Sequence, residues 1–173
     1  MQTRTPRLNA FALSTIILSA LVTTPNSANA LSCARPQITG SFEQWSQSDR
    51  QYVLVRGLLS PRLPLPEAPP QSGDINAPNP PAPHLYEFSG VIIGKAANRP
   101  LQVPVMVTPT CIAAWCAGHF SGSQNAVMAL EVNGPNYSLT YGPCGGQVFT
   151  GDLDASEAAL RACLNGRCPP PTN

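Results

Sequence analysis

Two runs of alternating polarity flank a cluster of turn formers between Ala126 and Gly146. Met128, Leu130 and Val132 share one parity. Tyr137, Leu139 and Tyr141 share another, with Ser138 and Thr140 between them. Asn133-Gly134-Pro135-Asn136 separates the two runs. Such alternation on either side of turn residues predicts a β-hairpin with one buried face. Its second strand runs into Gly142-Pro143-Cys144-Gly145-Gly146, where a cysteine sits among residues that bend the chain.

Four further elements follow from the same patterning. Tyr52 to Leu59 is apolar and β-branched on both parities, which predicts a central strand buried on both faces. Gly57 inside that run suggests a bulge or bend. Tyr86, Phe88, Val91, Ile92 and Ile93 predict the next strand, and Gly90 marks a change of parity that suggests a second bulge. Leu101, Val103, Val105 and Val107 alternate cleanly, and this run pairs naturally with the preceding one as a hairpin. Pro104 has no N–H to offer, so it must lie at an edge or a bulge. Ala155 to Leu164 predicts a closing helix, started by an Asp154/Glu157 capping box and stopped by Gly166. Phe42 and Trp45 predict a core plug or helix face. Cys111 to His119 predicts a compact helical turn tied by Cys111 and Cys116. Residues 60–84 break every period. Nine prolines lie between Pro61 and Pro83, and the stretch predicts a long polyproline-like loop inserted between two strands.

The N-terminus changes the setting of this domain. Arg4 and Arg7 precede an apolar run from Ala10 to Val22, and Ala28-Asn29-Ala30 supplies a small-x-small site. These are the parts of a secretory signal peptide, expected over residues 1–30, with cleavage after Ala30 or, alternatively, after Ser32. One domain is expected over residues 31–168, and residues 169–173 should fray. Export makes the protein periplasmic or secreted. Removing residues 1–30 takes two of the ten basic residues and none of the nine acidic ones, so the remaining chain is nearly neutral. It carries no basic stripe of the kind that nucleic acid requires, and no charge run that favours a membrane surface.

Six cysteines in an exported chain indicate disulfides. Fifteen pairings exist in principle. Spacing favours Cys111–Cys116 and Cys163–Cys168 as small local loops, which leaves Cys33–Cys144 as the long-range link. In the chain-entropy view that link contributes roughly 4–5 kcal/mol and each short loop about 2 kcal/mol.

Candidate chemistry is sparse. His119 lies near Cys111 and Cys116, yet the spacing is at the edge of zinc motifs and no second half-site exists. The Cys-x4-Cys pattern is not that of thiol oxidoreductases. Neither His84 nor His119 has a recognisable nucleophile partner, and no Gly-x-Ser-x-Gly is present. Asp152, Asp154 and Glu157 are accounted for by helix capping, and Glu131 alternates outward. No catalytic, metal or cofactor residues are assigned, and no cofactor is expected. The chain is expected to be a non-enzymatic monomer; its partner is left open, with another exported protein as the candidate.

The order of parts resembles a known family. Cys33-Ala34-Arg35-Pro36 opens the domain, Tyr52-Val53-Leu54-Val55-Arg56-Gly57 follows, and Tyr137-Ser138-Leu139-Thr140-Tyr141-Gly142-Pro143-Cys144 comes late. This is similar to the netrin-like, tissue-inhibitor-of-metalloproteinase-like modules, over roughly residues 33–149, and to small exported bacterial proteins of unassigned activity. The resemblance implies an all-β, five-stranded OB-like barrel with an N-terminal cysteine bonded to the end of a strand, here Cys33 to Cys144. It also implies a metalloprotease inhibitor if Cys33 is the mature N-terminus, because those inhibitors chelate zinc through their first cysteine. The Cys-x-Cys start of that family is missing here, and cleavage after Ala30 would leave Leu31 and Ser32 in the way. Fold does not carry function. The expected role is therefore an exported, disulfide-stabilised interaction module, with the inhibitor and an enzyme lacking a recognisable motif as alternatives.

Overall fold

The computed structural model describes residues 33–70, 74 and 76–170. The compact unit begins at Cys33. The expected signal peptide and the last three residues of the expected tail lie outside the described residues. In chain order the elements are α1 (Ile38–Ser46), β1 (Tyr52–Pro61), β2 (His84–Ile92), β3 (Arg99–Pro109), β4 (Cys111–Ile112), β5 (Trp115–Cys116), β6 (Gln124–Asn133), β7 (Asn136–Tyr141), β8 (Val148–Phe149) and α2 (Leu153–Leu164).

Five strands close into a barrel. β1 pairs antiparallel with β2 and β6, β2 with β3, and β6 with β7, while β3 runs parallel to β7. The circuit is β1-β2-β3-β7-β6 and back to β1, with β8 added beside β6. This is the five-stranded OB-like barrel expected, and closure removes the free edges that an open sheet would expose. Its interior is filled by one parity of each strand: Val55 and Leu59, Tyr86 and Phe88, Val105 and Val107, Met128 and Leu130, Leu139 and Tyr141.

A second apolar layer lies outside the barrel. The two helices pack together and cover the outer faces of β1 and β6. Trp45, Leu54, Ile93, Val127, Ala129 and Leu160 form this layer, with Phe42 and Phe149 against it. Trp45 and Phe149 meet edge to face, with centroids 6.4 Å apart. Phe42 and Trp45 are thus a helix face. β6 is buried on both sides, where the alternation of its sequence had suggested one buried face. The opposite parity, Val127 and Ala129, is small and apolar because a helix sits on it.

All three expected disulfides are present: Cys33–Cys144, Cys111–Cys116 and Cys163–Cys168. The Asn133–Asn136 hairpin turns through Gly134 at φ 60°, the glycine-first arrangement of a two-residue link. Pro104 faces Glu87 of β2, and pairing of β3 with β7 begins only at Val105, so the proline occupies the part of β3 that has one neighbour. Gly166, at φ 74°, ends α2. Its N–H donates to the Cys163 carbonyl and that of Arg167 to Ala162, which is a Schellman cap.

Several expectations are corrected. Gly57 and Gly90 are not bulges. They face each other in regular antiparallel register. A Cβ on Gly57 would lie 2.6 Å from the Gly90 Cα and 3.0 Å from Phe88 Cζ, so the glycines let two backbones meet beneath the Phe88 ring. The N-cap of α2 is Asp152, whose side chain accepts from the Ala155 N–H at 3.0 Å. Asp154 lies inside the first turn. The Cys111–Cys116 knot is a hairpin, not a helical turn, because the two cysteines stand directly opposite each other. Within the proline-rich loop, Leu65 packs on the barrel interior and Pro81 is buried.

Candidate interaction site

The Cys111–Cys116 hairpin is the most exposed apolar feature built on a rigid support. Ile112 and Trp115 pair across it, which puts them on one face, and the disulfide lies on the other. Trp115 is 59% exposed and Ile112 42%. Ala113 forms the turn at φ 51°, in the left-handed region that a side chain disfavours. Such backbone persists only where its surroundings over-determine it, and here the disulfide clamps both ends.

The hairpin's base is fastened to the barrel. The Thr110 N–H donates to the Tyr141 carbonyl at 2.9 Å, the Thr110 hydroxyl donates to the same oxygen at 3.1 Å, and the Ala117 N–H donates to the Thr110 carbonyl at 3.0 Å. Tyr141 continues into Gly142-Pro143-Cys144, so the Cys33–Cys144 bridge is anchored next to the hairpin. Two disulfides therefore hold one end of the barrel. The stretch of chain that builds the hairpin is poor in charge: between Arg99 and Asp152 it carries a single Asp, Glu, Lys or Arg, Glu131. Glu131 lies near the other end of β6 and is paired with Arg50 at 2.9 Å.

The opposite kind of surface lies along α2. Arg56 of β1 donates to Asp154 at 2.6 Å and to Glu157 at 2.9 Å. Arg161 donates to Glu157 at 2.7 Å, to the Gly94 carbonyl at 2.6 Å and to Asn98 at 2.8 Å. The hydrogen bond from Asn98, then those from Arg56 and Arg161, hold the Glu157 carboxyl below its ordinary range against the opposing effect of burial. A groove of about 440 Å³ runs here between Arg56, Asp154, Arg161 and Arg167. Its carboxylates are engaged by arginines, so the geometry describes a clasp that pins α2 to the barrel rather than an acid–base pair.

Beside the hairpin, His84 and His119 come together at the barrel end, with ring centroids 5.7 Å apart. Tyr86 lies next to His84, and Phe120 stacks on Tyr141 at 4.5 Å. The Cys111 and Cys116 sulfurs are consumed in a disulfide, so His119 has no thiolate beside it and faces His84 instead. Among the described residues no group of three or more His, Cys, Asp or Glu side chains converges to hold a metal. No helix of the described residues is long and apolar enough to cross a membrane.

Sequence patterning missed Trp115, because a two-residue hairpin is too short to show a period. Two signals were present: a Cys-x4-Cys spacing that suits cross-strand cysteines, and the charge-free stretch around it. No protein-family model matches the chain, and neither does any curated protein or solved structure.

Proposed function

We propose that the protein is an exported, non-catalytic interaction module that grips a partner protein through the tip of the Cys111–Cys116 hairpin. The exposure of Trp115 on a disulfide-clamped, barrel-anchored turn carries this reading. Tryptophan supplies a large apolar surface at little entropic cost, and such anchors dominate protein interfaces. The disulfide removes most of the ordering that a free loop would undergo on binding. The charge-free stretch that builds the hairpin favours an apolar pocket on the partner over electrostatic docking.

The test is a photo-crosslinking amino acid placed at Trp115 in one variant and at Asp49, in the loop after α1, in another. Both are expressed with export in the native host. Adducts to a discrete partner are expected from position 115 and not from position 49. Equal or absent adducts at the two positions would contradict the proposal.

One observation supports a second role. Cys33 is exposed and is bonded to Cys144 next to the same hairpin, where an N-terminal amine would be displayed if Cys33 were the first residue of the mature chain. A metalloprotease inhibitor of the chelating type requires that N-terminus. Mass spectrometry of the exported protein decides it: a mature chain that starts at Leu31 removes this role.

A further inference from the structure

We propose that His84 and His119 form an acid-opened latch holding the segment from Gly118 to Ser123 over the end of the barrel. This segment has no regular structure and follows the hairpin directly. It is seated by Phe120, which stacks on Tyr141, meets Tyr86 edge to face and accepts a 3.4 Å hydrogen bond from the Tyr86 hydroxyl on its carbonyl. His119 then lies against His84, with the rings 71° apart.

The site is poorly suited to positive charge. Four buried side-chain polar atoms among the described residues have no hydrogen-bond partner, and three of them are here: both ring nitrogens of His119 and the Tyr141 hydroxyl. The Ala82 backbone lies close enough to favour the charged form of the His119 ring, although no hydrogen bond of ordinary geometry forms. His84 is held through Nε2 to the Arg62 carbonyl. No carboxylate compensates either ring. From β2 the titratable neighbours are His84, Tyr86 and Glu87, and Glu87 is engaged by Arg62. From β7 there is Tyr141, which burial and then Tyr86 push up to about 12, so it stays a neutral phenol. β3 and β6 offer no ionic side chain nearby: Arg99 lies at the far end of β3, and Glu131 near the far end of β6 is paired with Arg50.

Burial, and then the neighbouring His84, hold the His119 pKa below its ordinary 6.5. Once the segment swings out, His119 regains the ordinary value. The opened form therefore binds a proton that the closed form rejects. Closure is fully favoured above 6.5 and weakens as pH falls below it, until the lower pKa of the closed form is passed. His84 sits on a barrel strand and cannot retreat, so the loop segment moves. Opening would uncover Tyr86 and Tyr141 and loosen the base of the hairpin. A loosened hairpin would put partner binding under acid control, and only that consequence rests on the function proposed above.

The test is hydrogen exchange on the isolated protein at about pH 7.5 and about pH 5, corrected for intrinsic rates. Protection of the Ala117–Ser123 amides is expected to fall at the lower pH, while amides of β1 and β2 keep theirs. In His119→Gln the difference should vanish. Unchanged wild-type protection, or a loss that survives in His119→Gln, would overturn the latch. Should His119→Gln not fold, NMR titration of the wild-type histidines serves instead. A His119 midpoint below 6.5 is expected, and one at or above that value overturns it. These readouts need no partner, so failure of the latch and failure of the hairpin proposal are distinguishable.

Discussion

The α2 side and the hairpin end of this barrel solve opposite problems. On the α2 side the charged groups that tie the helix to the barrel are spent. Leu160 fills the layer between helix and barrel, and Arg56, Glu157, Arg161 and Asn98 satisfy one another. At the hairpin end the backbone is clamped by two disulfides, yet Ile112 and Trp115 stay largely in solvent. One surface holds polar and charged groups and binds the molecule to itself. The other is rigid and leaves its largest apolar side chain in solvent. Rigidity without internal contact is what a displayed binding element needs, whereas a clasp needs contact, and its charges tolerate exposure.

Substitutions can break this contrast. The largest effect is expected from Leu160→Ala, which removes a fully buried side chain and should cost about 2–5 kcal/mol in denaturant unfolding. A loss under about 1 kcal/mol would mean that the helix layer is dispensable. Glu157→Gln comes next, at about 1–2 kcal/mol at neutral pH, since it weakens charge-assisted hydrogen bonds at a site 15% exposed. The Glu157 pKa is lowered in the folded state, so its contribution is present above the ordinary 4.5 and is lost as pH falls through the folded value. The gap between wild type and Glu157→Gln, measured by thermal unfolding across pH, should therefore close in acid. A gap of constant size would assign the loss to packing instead.

Smaller effects are expected at the hairpin. Ala113→Gly relieves a left-handed residue, set against the greater freedom of glycine when unfolded, and should change stability by about 1 kcal/mol or less. A loss above about 2 kcal/mol would show that the alanine methyl packs against something.

Much of the barrel was legible because parity reports burial directly. Met128, Leu130, Leu139 and Tyr141 could face only one interior, and Val103, Val105 and Val107 likewise. The disulfides followed from spacing, since two pairs five residues apart leave a third. What failed depends on neighbours distant in the chain. Gly57 and Gly90 looked like bulges because each was judged within its own strand, whereas their reason is each other. Val127 and Ala129 gave no sign that a helix would cover them. Asp152 and Asp154 both suit an N-cap, and only the backbone shows which one turns the chain. His84 and His119 are brought together by barrel closure, which no local pattern reveals.

The most direct check on the contrast is the unfolding free energy of Trp115→Ala, beside that of wild type, by chemical denaturation at neutral pH. A displayed side chain that supports no part of the fold should change it by no more than about 0.5 kcal/mol, with an unchanged denaturant slope. A loss above about 2 kcal/mol would show that Trp115 is structural and that the hairpin is not a surface held ready for a partner.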